Sequence, residues 1–199
     1  GAEITALAAR AVDDEHRHAA LCMQMATRYL GHHVAPTIEL PFSHPTHPTA
    51  RSPRLRDALY VVGQCVFNET LASAYLAASL EAAGHPLARS ALRELLSDEI
   101  DHARIGWAYL GALPKDLRED IIDWLPALAI ANLREWRKLT LPTENTSLER
   151  HGFLQKDRIE EALLQAMRDL IVPGIAHVGL GSVALERWAT NGAATASFS

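Results

Sequence analysis

Apolar residues recur at helical spacing through most of the chain, and the interruptions divide it into segments. Residues 3–30 are rich in Ala, Leu, Met and Arg, with no Pro or Gly until Gly31, and predict one long helix closed by that glycine. Its core stripe reads Ala8, Ala11, Glu15, His18, Cys22, Met25 and Tyr29. Residues 31–56 carry prolines at 36, 41, 45, 48 and 53, which forbid a regular helix and favour an extended path. Helical patterning resumes over 57–83 and again over 87–112, with Gly84 and Pro86 between them. A helix is expected at about 117–139, kinked at Pro126, then a loop at 140–152. A last helical region covers about 154–190, interrupted at Pro173-Gly174, and the small, polar tail 191–199 is expected to fray. No segment alternates as a strand does. The fold class expected is all-α.

The proline-rich segment carries a topological expectation. A helix of about 27 residues is roughly 40 Å long, and an extended linker of this length covers that distance. It can return along a bundle and start the next helix at the same end as the previous one, as a single long crossover does. The whole chain, 1–199, then forms a single domain. Its bundle core is about 3–112, with C-terminal accessory helices at about 117–190.

Composition narrows the classes. The chain has 199 residues, 48% hydrophobic, with a net charge of −5. That suffices for one full core and gives no basic patch for nucleic acid or an anionic membrane. No apolar run reaches bilayer length, and the start, Gly1-Ala2-Glu3, lacks the basic and apolar regions of a signal peptide. The first residue is not Met, which fits a processed or trimmed product. Cys22 and Cys65 are too few for a disulfide framework and read as reduced thiols in a cytoplasmic protein. Ten histidines are the unusual feature.

Two of those histidines sit in matching motifs. Asp14-Glu15-His16-Arg17-His18 and Asp98-Glu99-Ile100-Asp101-His102 both read D-E-x-x-H. Residues three apart share a helix face, so each motif projects one carboxylate and one imidazole together, a mixture that suits iron or manganese. Both pairs fall on core stripes, the second being Leu92, Leu95, Glu99, His102, Gly106 and Tyr109. Glu69 lies on a third stripe, Val62, Cys65, Val66, Glu69, Ser73, Leu76 and Leu80. A buried carboxylate costs several kcal/mol unless it is paired or bound to metal, so three core glutamates call for a cation. Glu15, His18, Glu69, Glu99 and His102 are the candidate ligands, with Glu69 as a bridge between two metals.

Glu69 followed by Asp98-Glu99-x-x-His102 resembles one half of the duplicated signature of the ferritin-like di-iron carboxylate superfamily. Asp14-Glu15-x-x-His18 resembles the end of the other half. The chain is similar in this respect to the oxygenase members, including the p-aminobenzoate N-oxygenase group, over roughly residues 3–112. The resemblance implies a ferritin-like helical bundle holding two iron ions, or a manganese or mixed manganese/iron pair. It makes Asp14 and Asp98 acceptors for the ligand histidines' N–H groups. It also implies an oxidoreductase that activates O2 to oxidise a small organic substrate, supplied by an electron-donor protein, with a homodimer as the expected assembly. Two other functions fit the same residues: ferroxidase or peroxide scavenging, and a non-catalytic helical interaction module with a degenerate site.

Two departures stand out. The N-oxygenase group has an extra histidine where this chain has Leu95. The family pattern also places a further glutamate on a helix about thirty residues before Asp14, and Glu3 is too near along the same helix to serve. Three sources remain open for that carboxylate: a helix not contained in the sequence, one of Glu135, Glu160, Glu161 or Glu186 on the C-terminal helices, or a second subunit. Other residues carry blander expectations. His32, His33, His44, His47 and His85 belong to turns and surface, while His151 and His177 have no assigned role. Tyr75, Trp107 and Tyr109 are core packing. Trp124, Trp136 and Trp188 lie outside the bundle or at an oligomer interface.

Overall fold

The computed structural model describes residues 2–35, 47, 49–138 and 146–192. Part of the proline-rich crossover (36–46 and 48), residue 139 with the first part of the 140–152 loop (140–145), and most of the C-terminal tail (193–199) lie outside the described residues. All regular structure among the described residues is helical, with no strand. The all-α expectation holds.

Helix α1 (Ala2–Leu30) is unbroken over 29 residues, and Gly31 leaves it at φ 73°, a left-handed value that suits glycine. Helix α2 (Pro53–Val61) starts at Pro53, with the Ser52 hydroxyl accepting from the Leu55 N–H. Sequence reading placed this proline in the extended segment. Proline at the first helical turn instead sits where no N–H is needed, and its fixed φ suits the helix. The chain continues through a π-helical turn, Val62–Asn68, into α3 (Glu69–Ala82). Helix α4 (Pro86–Ala112) follows. The predicted kinked helix at 117–139 is two helices, α5 (Lys115–Ile122) and α6 (Leu125–Trp136), with Pro126 in the first turn of the second. A 3-10 turn covers Thr146–His151.

The last region also differs from expectation. Helix α7 (Lys156–Ala166) runs through a π turn (Met167–Ile171) into α8 (Val172–His177) without stopping at Pro173. The wider turn leaves the proline at the start of the α-helix that follows it. The true break is at 178–182, where Gly179 takes φ 79°. Helix α9 (Val183–Arg187) and a closing π turn (Trp188–Gly192) complete the described chain.

The packed core lies away from α1. Phe67, Leu59, Leu71, Leu110, Ile121, Leu125, Leu133, Leu163, Met167, Ile171, Ile175 and Leu180 are fully buried, so the C-terminal helices supply more than half of the largest buried side chains. Trp124, Trp136 and Trp188 are not set outside this body but pack against its core. Tyr75, Trp107 and Tyr109 also pack there, as expected. Helix α1 has only Asp14 and His18 buried, and its main packing partner is α4.

Helices α3 and α4 form an antiparallel hairpin, and its closest approach is at Gly106. A Cβ built there would lie 2.2 Å from the Cys65 carbonyl oxygen and 2.7 Å from the Val66 nitrogen. The π turn and the absent side chain together bring the two backbones close, one turn beyond His102. Gly106→Ala must therefore separate α4 from the π turn. It is expected to lower stability by about 1–3 kcal/mol, the range for overpacking a filled site, in a denaturant titration. A change below about 0.5 kcal/mol would refute this packing.

Candidate metal centre

The five candidate ligands converge where α1 crosses α4 and the start of α3. Helices α1 and α4 run antiparallel: Arg10 pairs with Asp101, and Arg17 with Asp98 and Glu94. This register sets each D-E-x-x-H motif against the other. The consequence is a crossed pairing. Asp98 Oδ2 lies 3.0 Å from His18 Nε2, and Asp14 Oδ2 lies 3.4 Å from His102 Nε2. Each aspartate thus holds the histidine of the opposite helix. An Nε2–H donated to aspartate leaves Nδ1 as the nitrogen with a free lone pair.

Both Nδ1 atoms face the glutamates. His18 Nδ1 is 3.4 Å from Glu99 Oε1 and 3.7 Å from Glu15 Oε2. His102 Nδ1 is 3.3 Å from Glu99 Oε2 and 3.4 Å from Glu15 Oε1. Glu15 and Glu99 therefore each straddle the two imidazoles, whose ring centroids are 5.8 Å apart. Two overlapping groups have ligand atoms close enough to share an ion: Glu15, His18 and Glu99, and Glu69, Glu99 and His102. Glu69 belongs to the His102 side alone. Glu15 and Glu99 stand between the two imidazoles, because residues from two antiparallel motifs meet at the centre while α3 approaches from one side.

Arg17 ties the aspartates together. Its Nη1 donates to Asp14 Oδ1 and its Nη2 to Asp98 Oδ2, both at 2.6 Å. Arg10 adds a contact to Asp101 and lies 3.7 Å from Asp14. These arginines were not among the sequence candidates. Arg17 is three residues from Asp14, a visible helical pair, but its reach to Asp98 depends on the helix crossing.

The electrostatics record a surplus of carboxylate. Burial, with a hydrogen bond and repulsion from Glu99, pushes the Glu69 carboxyl up to about 9. His102 is raised to about 10 by hydrogen bonds to Glu15 and Glu99. Burial opposes ionisation of Glu99, but hydrogen bonds from His102 and Glu69 hold its carboxyl below the usual value. Asp14 is likewise held low by Arg17 and His102 against the cost of burial. Protons on Glu69 and His102 do here what cations would do, and the donor set of carboxylate oxygens and imidazole nitrogens fits divalent first-row metals.

The site is enclosed on the α4 side and open on the α1 side. The Glu15 side chain is 57% exposed, against 12% for Glu99. None of the C-terminal glutamates fills the His18 side: Glu160 pairs with Arg137 and Glu135 with Lys138, and neither Glu161 nor Glu186 joins a cluster among the described residues. The neighbouring thiols differ. Cys22 is exposed, while Cys65 is partly buried and pushed up to about 11 by burial and by Glu69, a value that keeps it an unreactive thiol. His151, unassigned from sequence, shares a hydrogen bond of 2.8 Å between its Nδ1 and the Tyr29 hydroxyl and packs beside His85. His47 lies edge-on to Trp124, and His44 lies outside the described residues.

The fold and site define an all-helical protein with a carboxylate–imidazole cluster suited to binding cations. No family model matches the chain, and no curated protein or solved structure matches it. No helix among the described residues is long and apolar enough to cross a membrane.

The pKa shifts have a consequence for the metal-free chain. Glu69 and His102 both bind protons more tightly when folded than at their ordinary values of 4.5 and 6.5. Their contributions are therefore greatest at low pH and fall as pH rises, from about 4.5 to about 9 for Glu69 and from about 6.5 to about 10 for His102. Metal-free protein is expected to lose melting temperature between pH 6 and pH 9, and Glu69→Gln to flatten that loss. An identical pH slope in wild type and variant would refute the buried, protonated Glu69.

Proposed function

We propose that this chain is a ferritin-like di-iron oxidase or oxygenase that uses O2 to oxidise a small organic substrate. The observation that carries the reading is the reciprocal arrangement of Glu15 and Glu99 across two imidazole Nδ1 atoms, each imidazole braced from behind by an aspartate. Two E-x-x-H motifs with a glutamate from each of two further helices are the ligand plan of di-metal helical bundles, and this chain supplies one of those two glutamates, Glu69. His18 with Glu15 and Glu99 would hold one ion. His102 with Glu69, Glu99 and Glu15 would hold the other. Two irons bound there would supply O2-dependent oxidation, and manganese or a mixed pair would use the same ligands.

The protein's own groups have distinct tasks in this reading. Asp14 and Asp98 orient the rings and keep the proton on Nε2. Arg17 offsets the charge of both aspartates when metal displaces protons from the centre. Glu69, on the partly buried side, would give up its proton to an ion bound there. Leu95 and Leu92 lie one and two turns before Glu99 on α4 and continue the ligand stripe as apolar residues. Exposure of Glu15 supports a second reading, a ferroxidase whose ions enter and leave on that side. Electron supply from a donor protein and the identity of the substrate stand beyond these residues.

Elemental analysis of protein reconstituted with ferrous iron tests the site. About two metal ions per chain are expected, with about half or less in Glu99→Ala. Folded wild-type protein that takes up neither iron nor manganese would end this reading. Binding near neutral pH is also expected to release protons from Glu69 and His102, about two per chain by calorimetry in buffers of different ionisation enthalpy. Uptake without proton release would place the ions elsewhere. Single-turnover oxidation of a bound organic molecule, against iron oxidation alone, separates oxygenase from ferroxidase.

A further inference from the structure

Glu69 is the one candidate ligand outside the two D-E-x-x-H motifs, and it stands at an irregularity in its helix. Its N–H closes the π turn by donating to the carbonyl of Gln64, five residues back. Turns of this kind interrupt α-helices most often at functional sites. The residues on either side of Glu69 are each held by a tryptophan. Asn68 Oδ1 accepts from Trp136 Nε1 at 3.0 Å, and Thr70 Oγ1 accepts from Trp107 Nε1 at 3.3 Å. The two indoles come from different elements: Trp107 lies on α4, five residues beyond His102, and Trp136 ends α6. Both are seated by neighbours. The Trp107 ring packs on Gly174 of α8, where a Cβ would lie 2.6 Å from it. The Trp136 ring meets that of Tyr75 at 5.4 Å.

We propose, on the basis of the two-metal reading, that Trp107 and Trp136 are positioning residues whose indole N–H groups hold Glu69 against Glu99 and His102. A buried indole needs an acceptor, and here both acceptors flank the same glutamate. Neighbouring residues on a helix point roughly 100° to either side of the one between them. The two bonds therefore resist rotation of Glu69 about the helix axis in both directions. Such a restraint is needed, because Glu69 and Glu99 offer ligand oxygens within 4.8 Å of each other, and ionised carboxylates so placed repel. Glu69 joins the His102 group and not the His18 group, so the tryptophans act on one ion of the two. Helices α6 and α8 supply none of the five candidate ligands, yet through Trp136 and Gly174 they brace the centre.

Cobalt(II) titration of the metal-free full chain, read by elemental analysis and visible absorption, tests this. Wild type is expected to bind about two cobalt ions. Trp136→Phe and Trp107→Phe keep an aromatic ring and remove the N–H. Each is expected to weaken one ion about tenfold or more, the scale for losing support behind a ligand, with a changed cobalt spectrum and unchanged helical circular dichroism. Asn68→Leu and Thr70→Val remove the acceptors instead and are read should a tryptophan variant lose helicity. Adding Trp136→Phe to Glu69→Gln is expected to weaken cobalt no further, since both act on the same ion. Two ions bound as in wild type by the tryptophan and acceptor variants overturn the positioning role alone. So does equal weakening of both ions, or an additive loss in the double variant, either of which marks a general loosening of the fold. Folded wild type that takes up no cobalt overturns the two-metal reading, and this role with it.

Discussion

Negative charge held between α1 and α4 is the constraint around which the rest of the centre is arranged. Asp14, Glu15, Asp98 and Glu99 meet where the two helices cross, and Glu69 joins them from α3. Carboxylates at such separations cannot all stay ionised in a partly buried place without positive compensation. In the metal-free chain that compensation comes from Arg17, His102 and a proton on Glu69. The same groups that make the arrangement costly without cations make it receptive to them. This is the usual tension of a functional site: local stability is given up for a preorganised ligand set.

The scaffold supports that centre unequally. Its rigid side is the α3–α4 hairpin, clamped at Gly106 by the π turn and backed by the large apolar core built with α5 to α9. That side carries Glu69, Glu99 and His102. The other side is a single long helix that buries little besides a histidine and an aspartate. Such an element belongs to the low-stability end of a fold. Its attachment through ion pairs, rather than apolar contact, makes α1 sensitive to anything that changes charge in the centre. A cation bound among these carboxylates would therefore be linked to the docking of α1 through the same residues.

Much of the chemistry was legible in the sequence because it obeys helical spacing. Glu15 with His18, and Glu99 with His102, are local pairs, and the structure brings all five candidate ligands together. The aspartates were also readable as acceptors for histidine N–H groups. Their crossed assignment was not, because which aspartate meets which histidine depends on the antiparallel register of two helices eighty residues apart. Prolines misled at three places. Pro53 starts a helix, Pro126 sits in the first turn of one, and Pro173 follows a π turn. Each is tolerated at a first turn, which spacing alone does not distinguish from a break.

The sequence by itself determined the all-helical class, the ligand types and the pairing of each glutamate with its histidine, since periodicity and side-chain chemistry are local properties. Tertiary structure alone decided that Glu15 and Glu99, not Glu69, stand between the imidazoles. It alone put the large core among the C-terminal helices and left Val12 and Tyr29 of α1 exposed. Those outcomes turn on which helix faces meet across long separations, and an apolar stripe states that a face wants burial without saying what will bury it.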